Sequence, residues 1–222
     1  RYDASTLASR AVNRRALLER CGLTGPAGVP VVAMVSRLER QKGLDITGHA
    51  LHLLLNAADD VRVVVLGSGA AEYTEMLRAI GRYHRRKMAT FLDVFDNDLA
   101  HLIYGGADAL LVPSLFEPCG LTQLIGMRYG CVPVVRATGG LADTVMDGLT
   151  GFAFEEYTAE ALWRALSRAL RVYRKESATW RRIQARGMAQ DCSWERSAGL
   201  YAALYERVLE RGARGGRRAM RA

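Results

Sequence analysis

Residues 108–145 read DALLVPSLFEPCGLTQLIGMRYGCVPVVRATGGLADTV and contain two apolar runs, each followed by a loop that bears glycine. The first run, 108–113, ends at Pro113, and the second, 131–135, leads to Thr138-Gly139-Gly140. Continuous apolar runs of this kind are typical of buried parallel strands. Because the carboxyl ends of parallel strands meet at one edge of a sheet, the two loops are expected to share one crevice, where ligands bind in open α/β sheets.

The same alternation of apolar runs and helical segments extends along the rest of the chain. Further runs typical of strands occur at 31–35, 61–66, 88–94 and 152–154, and segments with helical spacing occur at 7–21, 44–56, 71–86, 97–105, 158–175, 177–190 and 194–210. Strands that alternate with helices of this length predict an α/β fold with a doubly wound parallel sheet of five or six strands, which is Rossmann-like.

Composition limits the class of protein. The 222 residues are 50% hydrophobic and carry 31 Lys and Arg against 23 Asp and Glu, a formal net charge of +8. This length allows one large or two small domains with a buried core. The positive charge either attracts an anionic ligand or forms a solvated basic surface, and composition leaves both open. No apolar run approaches the roughly 18 residues that span a bilayer, so no membrane partner is expected.

The residue patterns also argue against two other kinds of partner. Basic residues cluster at 82–87, but this run lacks an aromatic stacking platform and a nucleic-acid-binding motif, so it indicates a solvated helix end and no nucleic acid. His49 and His52 lie one helical turn apart without a third ligand nearby, and the four cysteines form no C-x-x-C pair. The sequence therefore predicts no metal site.

Charged residues in two loops are candidates for binding an anion or a sugar. Arg37 and Lys42 follow the strand at 31–35 and could neutralise a diphosphate, Arg through its forked donors and Lys as a point charge. Both could equally be solvated loop residues. Glu117 lies in an otherwise apolar loop, where sugar hydroxyls are natural partners for a carboxylate; the alternative is an exposed loop acid.

Backbone groups and glycines supply further candidates. The N–H groups of residues 119–122 belong to the first turn of a predicted helix and would form a small cradle for an oxyanion or a phosphate. Gly67-Ser68-Gly69 resembles the start of a dinucleotide-binding G-x-G-x-x-G motif, but position 72 is Glu. That turn is interpreted either as ordinary turn chemistry or as lining for a nucleotide.

Four segments together closely resemble the bacterial glycogen synthases and the plant or algal starch synthases. They are SRLERQKGLDI at 36–46, LGSG at 66–69, HLIYGGADALLVPSLFEPCGLTQLIGMRYG at 101–130 and VVRATGGLADTV at 134–145. The similarity extends over about residues 1–210. These families are retaining glucosyltransferases of the two-domain GT-B architecture. The resemblance thus implies that this chain is the C-terminal half of a GT-B glycosyltransferase.

The resemblance also implies a domain organisation. Residues 1–210 would form the nucleotide-sugar-binding Rossmann-like domain, in which 1–22 lead in from the interdomain connection and 177–210 supply the C-terminal helices. Residues 211–222 would be a disordered basic tail, because Gly and Arg dominate them. The N-terminal domain, with its K-x-G-G-L loop and acceptor groove, is expected to lie outside this sequence, in which no K-x-G-G-L occurs.

Residue roles carry over only where this sequence matches the family motifs. Arg37 and Lys42 resemble the pair that holds the pyrophosphate of the donor. Glu117 resembles the carboxylate against the glucose ring, and Phe95 falls where an aromatic residue stacks on adenine. The segment that meets sugar and phosphate is matched by Cys119, Gly120, Leu121 and Thr122. Ile125 stands where related families place a second glutamate, so no ribose contact is carried over.

The implied activity is transfer of glucose from ADP-glucose to the non-reducing end of an α-1,4-glucan with retention of configuration, without a cofactor or a metal. The 222 residues alone are expected to be inactive because the acceptor half of the cleft is absent.

The segment MRYG at 127–130 favours a starch synthase. The expected location is then the plastid stroma of a chloroplast or amyloplast, with the bacterial cytoplasm as the alternative. Two other functions stay open, a non-catalytic scaffold that binds a nucleotide sugar or glucan, and a GT-B enzyme that uses UDP-glucose.

Overall fold

The computed structural model describes residues 2–57, 60–94 and 96–219. Within these ranges, six strands form one sheet in the order β3-β2-β1-β4-β5-β6, and each neighbouring pair is parallel. The strands are β1 (Val31–Val35), β2 (Arg62–Gly67), β3 (Met88–Leu92), β4 (Ala109–Val112), β5 (Val132–Arg136) and β6 (Phe152–Phe154). The predicted doubly wound, Rossmann-like α/β fold is therefore confirmed.

Helices connect these strands and follow the last of them. They are α1 (Arg10–Arg20), α2 (Leu44–Ala57), α3 (Ala71–Tyr83), α4 (Asn97–Gly106), α5 (Thr122–Arg128), α6 (Gly140–Thr144), α7 (Ala159–Lys175), α8 (Ser177–Met188) and α9 (Trp194–Ala219). None of the described helices is both long and apolar enough to cross a bilayer.

Most predicted boundaries agree with the structure to within a few residues, and the exceptions have local causes. The strand expected at 88–94 ends at Leu92, because Asp93 adopts a φ of 62°, which no strand residue can have. The helix expected at 71–86 ends at Tyr83, and the next residue, His84, leaves helical geometry and is buried.

The hydrophobic core consists of two layers, one on each face of the sheet. In β1, Val32 and Met34 belong to the layer beneath α2, α3 and α7, whereas Val31 and Ala33 belong to the layer beneath α1 and α4. Successive residues of a strand point to opposite faces. A strand between two helical layers must therefore be apolar at every position, which explains the unbroken apolar run 31–35 that the sequence shows.

The order of the strands reverses direction at β1. From β1 the sheet continues to β2 and β3 on one side and to β4, β5 and β6 on the other. The loops that leave the carboxyl ends of β1 and β4 consequently diverge to opposite faces and leave a crevice between them. Arg37 and Lys42 lie in the first of these loops and Glu117 in the second.

The chain comprises two compact units, Arg1–Ala189 and Gln190–Ala222. The sheet and helices α1 to α8 lie in the first unit, and α9 lies in the second. In the second unit α9 continues to Ala219, where the sequence predicted a disordered tail from 211. Residues 211–219 contain no proline, and four of them are arginine, a strong helix former; the three glycines weaken a helix here but do not block one. Residues 220–222 of the predicted tail lie outside the described ranges.

Candidate functional site

The structure joins two predicted site residues from loops far apart in the sequence. The ammonium group of Lys42 donates a hydrogen bond to Glu117 Oε2 at 2.6 Å across 75 residues. The side chains are only 20% and 9% exposed, so water screens this ion pair weakly. Glu117 is therefore a buried carboxylate with a cationic partner, and its interpretation as an exposed loop acid is wrong.

Gly43 makes this approach possible. It ends the turn that carries Lys42 and has a φ of 79°, in the left-handed region that glycine adopts without strain. A Cβ atom at this position would lie 2.1 Å from the carbonyl oxygen of Pro113, at the end of β4. Only glycine lets the loop after β1 come this close to the loop after β4, which brings Lys42 to Glu117.

Ser114 is a site residue that the sequence analysis missed. Its side chain is fully buried, and its hydroxyl donates to Glu117 Oε2 at 3.1 Å. The carboxylate oxygen thus accepts from both Lys42 and Ser114, which fixes its orientation. The available signal was a small polar residue directly after Pro113 at the end of a buried strand.

A small cavity lies beside these groups. Its volume is about 40 Å³, and it is lined by the ends of β1 and β4, Lys42, Ser114, Glu117 and residues 120–123. This volume accommodates about one water molecule.

Arg37 lies in the same loop as Lys42 but has different partners. Its guanidinium donates to both carboxylate oxygens of Glu39, at 2.8 and 2.9 Å, and to the side-chain oxygen of Gln41 at 3.4 Å. Within the part of the chain that the structure describes, no hydrogen bond joins Arg37 to Glu117. The Arg37 side chain is 61% exposed and is thus available to a ligand in solution.

The predicted phosphate cradle begins next to Glu117. Gly120, Leu121 and Thr122 line the cavity, and α5 begins at Thr122, whereas Cys119 is exposed. The first N–H groups of a helix have no carbonyl partner within the helix and can accept an anion. The Thr122 hydroxyl also interacts with the phenol of Tyr104, whose pKa is raised by burial.

The loop after β5 packs directly against this segment. Gly139 has a φ of 46°, and a Cβ atom there would lie 2.2 Å from the carbonyl oxygen of Glu117. The N–H of Gly140 donates to the same oxygen at 3.0 Å. The two glycine-bearing loops of the stretch 108–145 thus meet at one edge of the sheet, which confirms the predicted convergence.

Gln123 is a second residue that the sequence analysis missed. Its side chain is fully buried, and its amide nitrogen donates to the carbonyls of Cys119 at 3.3 Å and Gly120 at 2.9 Å and to the hydroxyl of Thr144 at 3.1 Å. One side chain therefore links the turn at Gly120 to α6. A polar residue on an otherwise apolar predicted helix was the available signal.

Arg136, at the end of β5, supports the loop that carries Glu117. Its guanidinium donates to the carbonyl of Leu115 at 2.7 Å and to that of Glu155 at 3.1 Å, and it lies 5.4 Å from the centre of the Tyr157 ring. From the opposite side, the carbonyl of Gln41 accepts from the N–H of Leu115 at 2.8 Å. The loop is thus fastened to both neighbouring strand ends.

Two sequence interpretations concern neighbouring loops. The turn Gly67-Ser68-Gly69 bonds to the loop after β1, because Leu38 donates its N–H to the Ser68 carbonyl at 2.8 Å and accepts from Ala70 N–H at 2.9 Å. This contact gives the turn a structural role beside the loop of Arg37.

Phe95, the predicted adenine-stacking residue, lies outside the described residues.

Comparison with known proteins identifies the family of this chain. Residues 23–185 match the pattern of a family described as glycosyl transferases group 1. The glycogen synthase of Anaeromyxobacter dehalogenans strain 2CP-1 is 50% identical over 209 residues, which cover 92% of this chain and 43% of that protein. Glycogen synthase 2 of Geobacter sulfurreducens is 46% identical over 218 residues, which cover 94% of this chain and 44% of that protein. The chain thus spans less than half the length of these curated relatives.

Solved structures show the same similarity. The catalytic domain of starch synthase IV from Arabidopsis thaliana, bound to ADP and acarbose, matches with a TM-score of 0.84 at 34% identity, over 93% of this chain and 44% of that one. Sucrose-phosphate synthase from Thermosynechococcus elongatus matches with a TM-score of 0.67 at 24% identity, over 90% of this chain and 49% of that one, and shares the fold. The resemblance to glycogen and starch synthases is therefore confirmed. Since the family pattern covers more than half of its residues, this chain belongs to the glycosyl transferases of group 1.

Proposed function

We propose that this chain is the donor-binding domain of a glycogen or starch synthase that transfers glucose from ADP-glucose to the non-reducing end of an α-1,4-glucan, with retention of configuration. The observation that carries the proposal is the buried pair of Lys42 and Glu117 at the edge where the strand order reverses. It is supported by the relatives named glycogen synthase and by the related starch synthase structure, which contains ADP.

In this proposal each polar group has a distinct task. Arg37 and Lys42 lie against the diphosphate and stabilise the negative charge that grows as it departs, so that no metal is required for this task. Glu117 accepts hydrogen bonds from the glucose hydroxyls. The bond between glucose C1 and the diphosphate oxygen breaks while a glucan hydroxyl bonds to the same face of C1, and the proton of that hydroxyl passes to the departing oxygen.

The acceptor is assigned to a part of the enzyme beyond these 222 residues, since the matched relatives extend over more than twice the aligned length. The curated relatives named above are glycogen synthases of bacteria, which favours a glycogen synthase over a starch synthase.

Calorimetric titration of the purified chain with ADP and with UDP tests the donor assignment. ADP is expected to bind, and Lys42→Ala is expected to weaken binding by about tenfold or more, since a charge-assisted contact to phosphate contributes about 1.5–3 kcal/mol. Lys175→Ala is the matched control, because Lys175 is an exposed lysine on α7, away from the sheet edge of the site. Equal affinity of the wild-type chain and Lys42→Ala would contradict the proposed role, and tighter binding of UDP than of ADP would overturn the donor.

A transfer assay tests the need for an acceptor domain. The chain is incubated with radiolabelled ADP-glucose and maltoheptaose, and labelled glucan is measured. No elongation is expected from these 222 residues alone, because residues that would hold the glucan are assigned elsewhere. Elongation by the purified chain would show that donor and acceptor sites both lie within it.

A further inference from the structure

Glu39 and Arg37 project from the same side of the loop after β1. The residue between them, Leu38, is fully buried and pairs through its backbone with the turn at 68–70. In an extended segment, residues two apart lie on the same face. Burial of Leu38 therefore directs its two neighbours outward together, and the Arg37 guanidinium reaches both oxygens of Glu39.

Each of the two site cations is thus paired with a carboxylate of the chain itself. Lys42 pairs with Glu117, and Arg37 pairs with Glu39, so the four charges cancel before any ligand binds. The two pairs differ in exposure. The side chains of Lys42 and Glu117 are 20% and 9% exposed, whereas those of Arg37 and Glu39 are 61% and 41% exposed. An exposed ion pair is held weakly and exchanges its partner readily.

We infer that Glu39 determines donor affinity by pairing with the Arg37 guanidinium, through its Nη1, in competition with the diphosphate of the donor. The inference rests on the proposed function of Arg37. A phosphate group presents the same arrangement of oxygens to a guanidinium as a carboxylate does. The diphosphate must therefore displace Glu39, and the loss of the Arg37–Glu39 ion pair reduces the net free energy of binding. Removal of the Glu39 charge should accordingly tighten the binding of a nucleoside diphosphate.

Calorimetric titrations with ADP test this inference. Glu39→Gln is expected to bind ADP about two- to fivefold more tightly than the wild-type chain, a change that corresponds to an exposed ion pair of up to ~1 kcal/mol. The gain should shrink in about 0.5 M salt, because salt screens exposed charges. Adenosine, which has no phosphate, is expected to bind equally to both chains.

Two further variants separate competition for Arg37 from a general change in charge. Glu156→Gln removes one negative charge from another exposed pair, Arg164 with Glu156, and should leave ADP affinity unchanged. In an Arg37→Ala background, Glu39→Gln should no longer increase affinity, because the guanidinium for which Glu39 and the diphosphate compete is absent. Unfolding midpoints of all variants confirm that each chain is folded.

Three outcomes would count against the inference. Equal ADP affinity of the wild-type chain and Glu39→Gln, with binding still weakened in Lys42→Ala, overturns the role of Glu39 and leaves the proposed function intact. A gain that persists in the Arg37→Ala background shows that Glu39 acts through general charge and not through Arg37. Failure of the wild-type chain to bind ADP overturns the proposed function and this inference with it.

Discussion

Gly139 presses against the carbonyl of Glu117 so closely that a Cβ atom would lie 2.2 Å from that oxygen. Gly139→Ala should therefore push the loop after β5 away from the Glu117 segment and lower ADP affinity. Gly148→Ala is the matched control, since Gly148 has a φ of 69° but open space around the added atom. Gly148→Ala should lose about 1–2 kcal/mol of stability from its positive φ, and Gly139→Ala should lose more because of the added steric contact. Only Gly139→Ala should also lose ligand affinity. Similar ADP affinities in the two variants would contradict the importance of this contact.

Ser114 holds Glu117 in place through a buried hydrogen bond. Ser114→Ala should lower the free energy of unfolding by about 1.5–3 kcal/mol, because a hydrogen bond to a charged group is lost and nothing replaces it. Ser36→Ala is the control, since the Ser36 hydroxyl donates to the neighbouring carbonyl of Arg37 at an exposed position. Urea unfolding of both variants measures the difference. An unchanged midpoint for Ser114→Ala would refute the argument.

Arg14 and Asp108 form an ion pair at the opposite edge of the sheet. Their side chains are 18% and 8% exposed, and Asp108 also accepts from the N–H of Val31 at 2.8 Å. Arg14→Ala would remove the cation that is hydrogen-bonded to this buried carboxylate, so a loss of about 3–5 kcal/mol in unfolding free energy is expected.

The control for Arg14→Ala is Arg20→Ala, on the same helix. Arg20 pairs with Asp96, and these side chains are 54% and 28% exposed. Arg20→Ala should cost less than about 1 kcal/mol, as solvent-exposed pairs do. Equal losses in the two variants, measured by urea unfolding, would show that burial does not decide the strength of these pairs.

The buried thiol of Cys131 should make stability depend on alkaline pH. Burial raises its pKa from 9.0 to about 12, so the folded chain retains the proton at a pH where the unfolded chain releases it. Stability then falls as pH rises above 9, by about 1 kcal/mol at pH 10. Cys131→Ala should reduce the loss of unfolding free energy between pH 8 and pH 10, and Cys192→Ala, at an exposed position, should not. Parallel pH profiles of wild type and Cys131→Ala would contradict this prediction.

The buried imidazole of His84 should make stability depend on acidic pH. Its pKa is lowered from 6.5 by burial, and by the proximity of His52 and Lys87. The unfolded chain therefore takes up a proton at a pH where the folded chain does not, so stability decreases as pH falls below 6.5. His84→Gln should flatten the dependence of the unfolding midpoint on pH between 5 and 7. A steeper dependence in that variant would reverse the assignment.

Local patterns were sufficient to predict the strands and most of the helices. The run 31–35 coincides with β1, and the run 152–154 coincides with β6. A strand that is covered on both faces is apolar at every position, so consecutive apolar residues identify it. The residues that carry the proposed chemistry were also found, since Lys42 and Glu117 follow predicted strands. The end of β3 was predicted two residues too late because Asp93 adopts a left-handed conformation. An aspartate adopts this conformation only occasionally, so the sequence alone does not predict it.

By itself the sequence determined where the buried strands lie and which charged groups follow them, because both depend on short local patterns. Only the tertiary structure decided which of these polar groups meet. Lys42 reaches Glu117 across 75 residues, while Arg37, five positions earlier, is held by Glu39. The physical reason is that such pairs depend on backbones brought within van der Waals distance, Gly43 against Pro113 and Gly139 against Glu117, and these approaches exist only after the parallel strands have aligned.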